Sequence, residues 1–444
     1  MKQVIILKAL LSYSGAKAFY IVIFLNAVID LGHKITLQNT VFKVHDGGYQ
    51  IILIAIINAL ILLPYITLVV PIGRIANSTP KPTMMKLAAW ASLSLTFMIT
   101  LFYFLGWFWP AMAMTLLMAV QSAFYSPAKL SYLKIFFGKN RLAESNGLAQ
   151  AIVIAGILLG TVIFSVGFEY LYQLLQSASA VGNKNAVTST MWPLGLGLIA
   201  LAVFQIYLVY RIPEKPEVLS QTKNDLGLQT PRLSIFYLLK DNRLFIPVLG
   251  LSLFWAVGQG MLAAFPAFAK AHAGITNAAV IQAILASSAV GLAIGAFLVT
   301  RFSRDTINLK LVPLGVIGLS AGLWTLTFLS TPIAFLNMPI VFAGVYCVMG
   351  ISSSLLVVPL NAYIQWQAAE HTLGGVIAAS NFFQNIAMLL MLGLTIAFAL
   401  ANFDSERLLQ MMAVLTTLVG SVIAFAVVKF NRIHGADSAE LPIT

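Results

Sequence analysis

Twelve long apolar segments constrain the fold of this 444-residue chain more than any other feature of its sequence. A run of about twenty apolar residues crosses a bilayer as a helix, because lipid offers no hydrogen-bond partner to free backbone groups. The polar residues 213–243 divide the segments into two sets of six. The sequence therefore predicts membrane spans at 18–40, 50–72, 87–106, 109–127, 146–168 and 192–211, followed by 244–269, 278–300, 311–330, 338–364, 374–401 and 408–429.

The composition and the distribution of charge support a membrane protein and exclude a nucleic-acid-binding one. Hydrophobic residues make up 60% of the chain and charged residues only 9%, far from the composition of soluble domains. If both termini are cytoplasmic, 21 of the 26 Lys and Arg residues fall on the cytoplasmic side. This positive-inside bias predicts that topology. It also accounts for the formal charge of +12 without a nucleic-acid partner.

Short similarities between the two sets of spans indicate an internal repeat. Pro127 and Pro359 lie at the ends of the fourth and tenth spans, and Asn146 and Asn381 lie near the starts of the fifth and eleventh. A duplicated six-helix unit with a binding site between its halves is the arrangement of the major facilitator superfamily. We therefore predict an all-α membrane protein of that fold, with 12 transmembrane helices in two six-helix halves. The halves are predicted at 1–212 and 244–430, with a cytoplasmic linker at 213–243 and a cytoplasmic tail at 431–444.

Two GxxxG pairs, Gly156 with Gly160 and Gly291 with Gly295, lie in the fifth and eighth spans. Small residues at this spacing let two helices approach closely. The pairs fit either a seam at which the two halves slide or ordinary tight packing, and the sequence leaves both interpretations open.

The first span carries the most informative polar residues, Asn26, Asp30, His33 and Lys34. Asp30 and Lys34 share a helical face, and an ion pair between them would offset part of the roughly 2.5–3.5 kcal/mol that a charge costs at mid-helix. Intramembrane charges mark substrate or ion pathways. A carboxylate suits an ammonium and a lysine suits a phosphate, so we predict a ligand site here. The alternative is a solvated pair at the outer end of the helix, and we interpret His33 as structural.

The remaining polar residues within the spans are mostly uncharged, and they do not suggest proton coupling or catalysis. Asp30 is the only clear mid-span carboxylate, whereas strong proton coupling usually needs several titratable groups. The sequence contains no metal-ligand cluster, P-loop or GxSxG motif, so we expect neither catalysis nor a cofactor. The uncharged candidates for ligand binding are Gln259, Asn361, Gln384 and Asn385.

Stretches along nearly the whole chain resemble the bacterial lysophospholipid transporters of the major facilitator superfamily. The resemblance implies transport of lysophosphatidylethanolamine and lysophosphatidylglycerol from the outer to the inner leaflet of the inner membrane, without a cation gradient. It implies a cytoplasmic acyltransferase/acyl-carrier-protein synthetase as partner, and binding roles for Asp30 and Lys129. The similar stretches are Phe24–Asp30, Phe124–Lys129, Ala143–Leu148, Gly156–Gly160, Ser252–Trp255, Val357–Gln365 and Asn381–Gly393.

One departure from the family concerns the substrate headgroup. The family carries an arginine one or two turns past the motif Ser252–Trp255, where this chain reads Gln259-Gly260-Met261-Leu262 and has no cation. Either Lys34 is the counter-charge to Asp30 instead, or the substrate has changed. The alternative function is therefore a major-facilitator carrier of another small solute, such as a metabolite, siderophore or drug, with or without proton coupling. In either case we expect a monomer in the bacterial inner membrane.

Overall fold

The protein, described by a computed structural model, folds into long α-helices. The structure describes residues 10–68, 71–72, 75, 79–138, 141–177, 183–214, 238–302, 307–329, 339–368 and 373–434. The predicted linker and tail therefore lie largely outside the described residues. The first helices are α1 (Ala16–Val44), α2 (Gly47–Thr67), α3 (Lys81–Phe104), α4 (Phe108–Phe137), α5 (Leu142–Ser177), α6 (Lys184–Thr190) and α7 (Trp192–Val209). They are followed by α8 (Asn242–Ala273), α9 (Ala278–Phe302), α10 (Leu311–Phe328), α11 (Pro339–Gln367), α12 (Leu373–Leu400) and α13 (Ser405–His434).

Eleven of the described helices are long and apolar enough to cross a membrane. The remaining predicted span, 109–127, lies in α4, where Gln121 and Ser122 interrupt the apolar run. The prediction that this helix ends close to Pro127 is wrong, because α4 continues to Phe137. Neighbouring helices in a membrane bundle compensate for the backbone hydrogen bond that a proline removes. Here the extension is anchored by Tyr132 and Phe136, which are buried in an aromatic cluster.

Contacts group Met1–Val44 and Ala59–Lys223 into one compact unit. Within this first unit, α5 packs closely on α1 through Gly156 and Gly160. A Cβ atom added at Gly156 would lie 3.0 Å from the Cβ of Ala27, and one added at Gly160 would lie 3.3 Å from the Cα of Val28. The small residues thus bring two backbones of the same unit together, as expected for small-xxx-small pairs.

A buried ion pair also joins α1 to α5 in the first unit. The Nζ atom of Lys43 lies 2.7 Å from the Oε1 atom of Glu169, and the two side chains are only 8% and 11% exposed. Glu169 is a second carboxylate within a membrane span, which the sequence analysis missed because it ended the fifth span at residue 168. Each buried charge has its partner, so this pair is a structural element rather than a free ligand group.

The second compact unit contains His45–Asn58 and Asn224–Thr444. In it α9 packs on α11 through the other glycine pair. An added Cβ at Gly291 would overlap the carbonyl oxygen of Cys347, and one at Gly295 would lie 2.6 Å from that of Ile351. Both GxxxG pairs therefore pack inside their own unit, which favours the tight-packing interpretation over a sliding seam.

This close approach predicts that Gly291→Ala destabilises the protein. The added methyl group meets backbone, which cannot rotate away, so α9 and α11 must separate, and overpacking of this kind costs about 1–3 kcal/mol. We expect a lower melting temperature of the purified, detergent-solubilised protein. Gly344→Ala in α11 is the matched control, because a Cβ there meets nothing within 4 Å. Equal melting temperatures for the two variants would contradict the packing described here.

Candidate functional site

A cavity of about 280 Å³ lies in the first unit among α1, α2, α4 and α5. Most of its lining is apolar, and its charged side chains are Asp30, Lys34 and Lys129. Asp30 lies at the middle of α1, and Lys34 follows one turn later on the same face. A charged site at mid-helix corresponds to the depth at which transporters of this architecture bind their substrates.

The carboxylate of Asp30 is anchored through one of its two oxygens. The Nδ2 atom of Asn26 donates to Oδ2 at 2.9 Å, and the hydroxyl of Ser122 donates to the same oxygen. The other oxygen, Oδ1, is buried and has no hydrogen-bond partner in the part of the chain that the structure describes. Asp30 therefore has a fixed orientation and one oxygen left to accept a hydrogen bond from a ligand.

A second layer of amides holds Asn26 in place. Gln121 and Gln205 each donate from Nε2 to the Oδ1 atom of Asn26 at 3.3 Å. Gln121 also donates to the backbone carbonyl of Ala88 at 3.1 Å. Residues of α1, α3, α4 and α7 thus form one hydrogen-bond network, which is connected to Asp30 through Asn26. Sequence reasoning missed the roles of Ser122 and Gln205, because each is an isolated polar residue far from Asp30 along the chain.

The predicted ion pair between Asp30 and Lys34 is not present among the described residues. Asn26 and Ser122 contact the carboxylate instead, and Lys34 lines the cavity without a hydrogen bond or ion pair to any described residue. The second ammonium group, that of Lys129, lies 5.7 Å from the centre of the Tyr125 ring. Lys129 lines the same cavity as Asp30. The cavity therefore offers one carboxylate and two ammonium groups to a ligand.

His33 does not line this cavity, although it shares the first span with Asp30. The residue is 1% exposed. Nδ1 lies 2.8 Å from the hydroxyl of Tyr103, and Nε2 lies 3.3 Å from the hydroxyl of Thr115. Both ring nitrogens are engaged with α3 and α4, which is consistent with the structural interpretation of His33.

The four neutral candidates all belong to the second unit. Gln259 lines a cavity of about 250 Å³ there, and the other three line neither this cavity nor the one around Asp30. Asn361 is exposed and donates to the carbonyl of Val357, one turn earlier, at 3.1 Å. Gln384 donates to the hydroxyl of Ser380 at 2.8 Å, and Asn385 is half-buried.

The helical architecture and the charged cavity at mid-span define a polytopic membrane transporter. The model of the Major Facilitator Superfamily matches residues 9–392, so the chain belongs to that superfamily. The chain is 28% identical over 336 residues to the lysophospholipid transporter LplT of Serratia proteamaculans, covering 74% of this chain and 75% of the relative. It is 29% identical over 349 residues to LplT of Photorhabdus laumondii, covering 76% and 78%. The resemblance inferred from the sequence motifs is thus confirmed.

Solved structures confirm the predicted fold. A point mutant of the nucleoside transporter NupG superposes with a TM-score of 0.65 and 13% identity, over 93% of this chain and 98% of the other. A D-xylose-proton symporter superposes with a TM-score of 0.65 and 14% identity, over 91% and 96%. At these identities the likeness concerns the fold alone.

Proposed function

We propose that this chain moves lysophospholipids of the lysophosphatidylethanolamine type from the outer to the inner leaflet of the bacterial inner membrane, where they are reacylated. The relatives at 28–29% identity are named lysophospholipid transporters. The proposal includes no catalytic activity for the chain itself. A cytoplasmic acyltransferase/acyl-carrier-protein synthetase is the partner that would use the delivered lipid.

The observation that carries this proposal is the charge pattern of the cavity around Asp30. A phosphoethanolamine headgroup has one negative phosphate and one positive ammonium. The free Oδ1 atom of Asp30 suits the ammonium, whereas Lys34 and Lys129 suit the phosphate as point charges. The remaining lining is largely apolar, as a ligand with a hydrocarbon chain requires.

Transport by alternating access follows from the architecture of the superfamily, in which two repeats move about a site near the midplane. The acyl chain would stay in hydrocarbon while the headgroup crosses. The positive-inside bias of the loops supports cytoplasmic termini. We assign the active form as a monomer.

The test is uptake of labelled lysophosphatidylethanolamine by proteoliposomes that contain the purified protein, with and without a protonophore. We expect uptake well above that of protein-free liposomes, and the same rate with the protonophore present. Intact, correctly inserted protein that moves no lysolipid would contradict the proposed substrate. Uptake that collapses with the protonophore would favour a proton-coupled major-facilitator carrier.

A further inference from the structure

A groove of about 450 Å³ lies between α3 and α4 in the first unit. Met84 and Ala88 form its floor and are only 5% and 6% exposed. Leu87 and Leu117 lie at its open side and are 63% and 44% exposed. α3 is long and apolar enough to cross a membrane, and the α4 residues of the groove fall within the predicted span 109–127. The open side of the groove therefore faces the hydrocarbon of the bilayer.

The lining of this groove suits hydrocarbon rather than a charged group. None of the described residues that line it is charged. Two of its three polar residues are already engaged. The hydroxyl of Ser94 donates to the carbonyl of Trp90 at 3.0 Å, and Nε2 of Gln121 donates to the carbonyl of Ala88 at 3.1 Å. The surface left to contact a ligand is thus largely apolar, which suits a chain of methylene groups and not a phosphate or an ammonium.

The length of the groove matches one acyl chain. Its α3 lining runs from Met84 to Leu95, which is about 16 Å along the helix axis. Two leaflets share a hydrocarbon core of about 30 Å, so one acyl chain in a leaflet spans about half of that depth. A chain that lies along α3 is therefore covered by the groove over nearly its whole length.

A hydrogen-bonded pair of side chains connects the groove with the cavity around Asp30. Gln121 lines the groove, and Asn26 lines the cavity. Nε2 of Gln121 donates to Oδ1 of Asn26 at 3.3 Å. At this position the wall between the two spaces is one pair of side chains thick, and both spaces belong to the same compact unit.

We propose that the groove binds the acyl chain of the lysophospholipid whose headgroup occupies the cavity around Asp30. This inference rests on the proposed function and assigns a site to the apolar part of the ligand. The pair of Gln121 and Asn26 separates when the lipid bridges the two spaces. Asn26 then still accepts from Gln205 and donates to Asp30, so the carboxylate keeps its orientation. Chain and headgroup are thereby recognised by different residues of one unit.

The first experiment narrows the groove and measures how uptake depends on chain length. Ala91 lines the groove, and Ala91→Phe places an aromatic ring in it. In proteoliposomes, the variant is expected to take up octadecanoyl lysophosphatidylethanolamine about tenfold more slowly or worse, because overpacking an occupied apolar site is unfavourable. The octanoyl lipid fills less of the groove and is expected to lose less than about threefold.

Ala113→Phe is the matched control, because Ala113 is an exposed residue of α4 that does not line the groove. It is expected to transport both lipids at the wild-type rates. Equal losses for the two chain lengths in Ala91→Phe, or no loss for either, would overturn the proposal.

A second measurement uses the wild-type protein and so does not depend on the folding of a variant. A lysophosphatidylethanolamine with a photoreactive diazirine in its acyl chain is cross-linked to the protein in liposomes of diacyl phospholipid. Labelling is expected within Met84–Leu95 and Leu117–Phe124, and excess unlabelled lysophosphatidylethanolamine is expected to suppress it. Labelling that the unlabelled lipid does not suppress, as expected where bulk lipid fills the groove, overturns the proposal.

The two measurements also separate this inference from the proposed function. Suppressible labelling of the groove without any uptake would support the acyl-chain site and contradict lysophospholipid transport. Uptake without suppressible labelling would support transport and contradict the acyl-chain site.

Discussion

Replacing Asp30 by asparagine is expected to abolish most transport of lysophosphatidylethanolamine. The substitution keeps the side-chain shape and an oxygen that accepts from Asn26 and Ser122. It removes the charge and replaces the free accepting oxygen by an amide NH2 group, which cannot accept from an ammonium. Loss of one partner from a buried, hydrogen-bonded charge pair costs about 2 kcal/mol or more, which corresponds to a decrease of about 30-fold or more. The measurement is the initial rate of uptake by proteoliposomes, normalised to inserted protein.

The headgroup dependence of this effect separates ligand recognition from damage to the fold. Lysophosphatidylglycerol has no ammonium group, so Asp30→Asn is expected to reduce its uptake much less. Ser122→Ala keeps the charge but loses one hydrogen bond, and a decrease of only about threefold to tenfold is expected for it. Glu214→Gln is the control for removal of a carboxylate, since Glu214 is 70% exposed and pairs with Lys86. Equal losses for both headgroups would contradict a contact between Asp30 and the ammonium.

Features that depend on local sequence periodicity were predictable, and the first span shows why. A carboxylate in a long apolar run is expensive, so Asp30 stands out without knowledge of its surroundings. The spacing of Asp30 and Lys34 places both on one helical face, and the structure brings both to the same cavity. The apolar runs themselves fix the spans because the bilayer fixes the length of a helix that crosses it.

Contacts between distant residues were not predictable in the same way. Ser122 reaches Asp30 across 92 positions of the chain, and Gln205 reaches Asn26 across 179. Helical periodicity gives the face of a residue but not the helix that will pack against that face. The predicted ion pair between Asp30 and Lys34 failed partly for this reason, because the hydroxyl of Ser122 from a distant helix donates to the carboxylate. The other donor, Asn26, lies one turn before Asp30 in the same helix and takes the place expected for Lys34 one turn after it.

The partners of the glycine pairs illustrate the same limit. A GxxxG spacing predicts a close approach but carries no information about which helix approaches. Gly156 contacts Ala27, and Gly291 contacts Cys347, so each pair makes its contact within its own unit.

Glu169 was missed for a simpler reason, since a charged residue at the edge of an apolar run is taken as the end of the predicted span. Its pairing with Lys43 lets the helix continue through it.

Replacing Lys34 by methionine is expected to reduce transport without reducing stability. Methionine keeps most of the apolar stem of the lysine and removes its ammonium group. Lys34 lines the cavity, and its ammonium has no hydrogen bond or ion pair with a described residue. The partial burial of this charge is therefore uncompensated in the absence of ligand. We expect a melting temperature equal to or above that of the unmodified protein. Uptake is expected to fall about tenfold or more, because a hydrogen bond to a charged group contributes about 1.5–3 kcal/mol.

The headgroup dependence of Lys34→Met is the reverse of that expected for Asp30→Asn. Both lysophosphatidylethanolamine and lysophosphatidylglycerol carry the phosphate, so the loss of Lys34 is expected to slow both to a similar extent. Lys86→Met is the control for removal of a cation, since Lys86 pairs with Glu214 outside the cavity. A melting temperature well below normal would mean that Lys34 stabilises the fold rather than the bound phosphate. Normal uptake of both lipids would leave Lys129 as the phosphate ligand and remove Lys34 from the site.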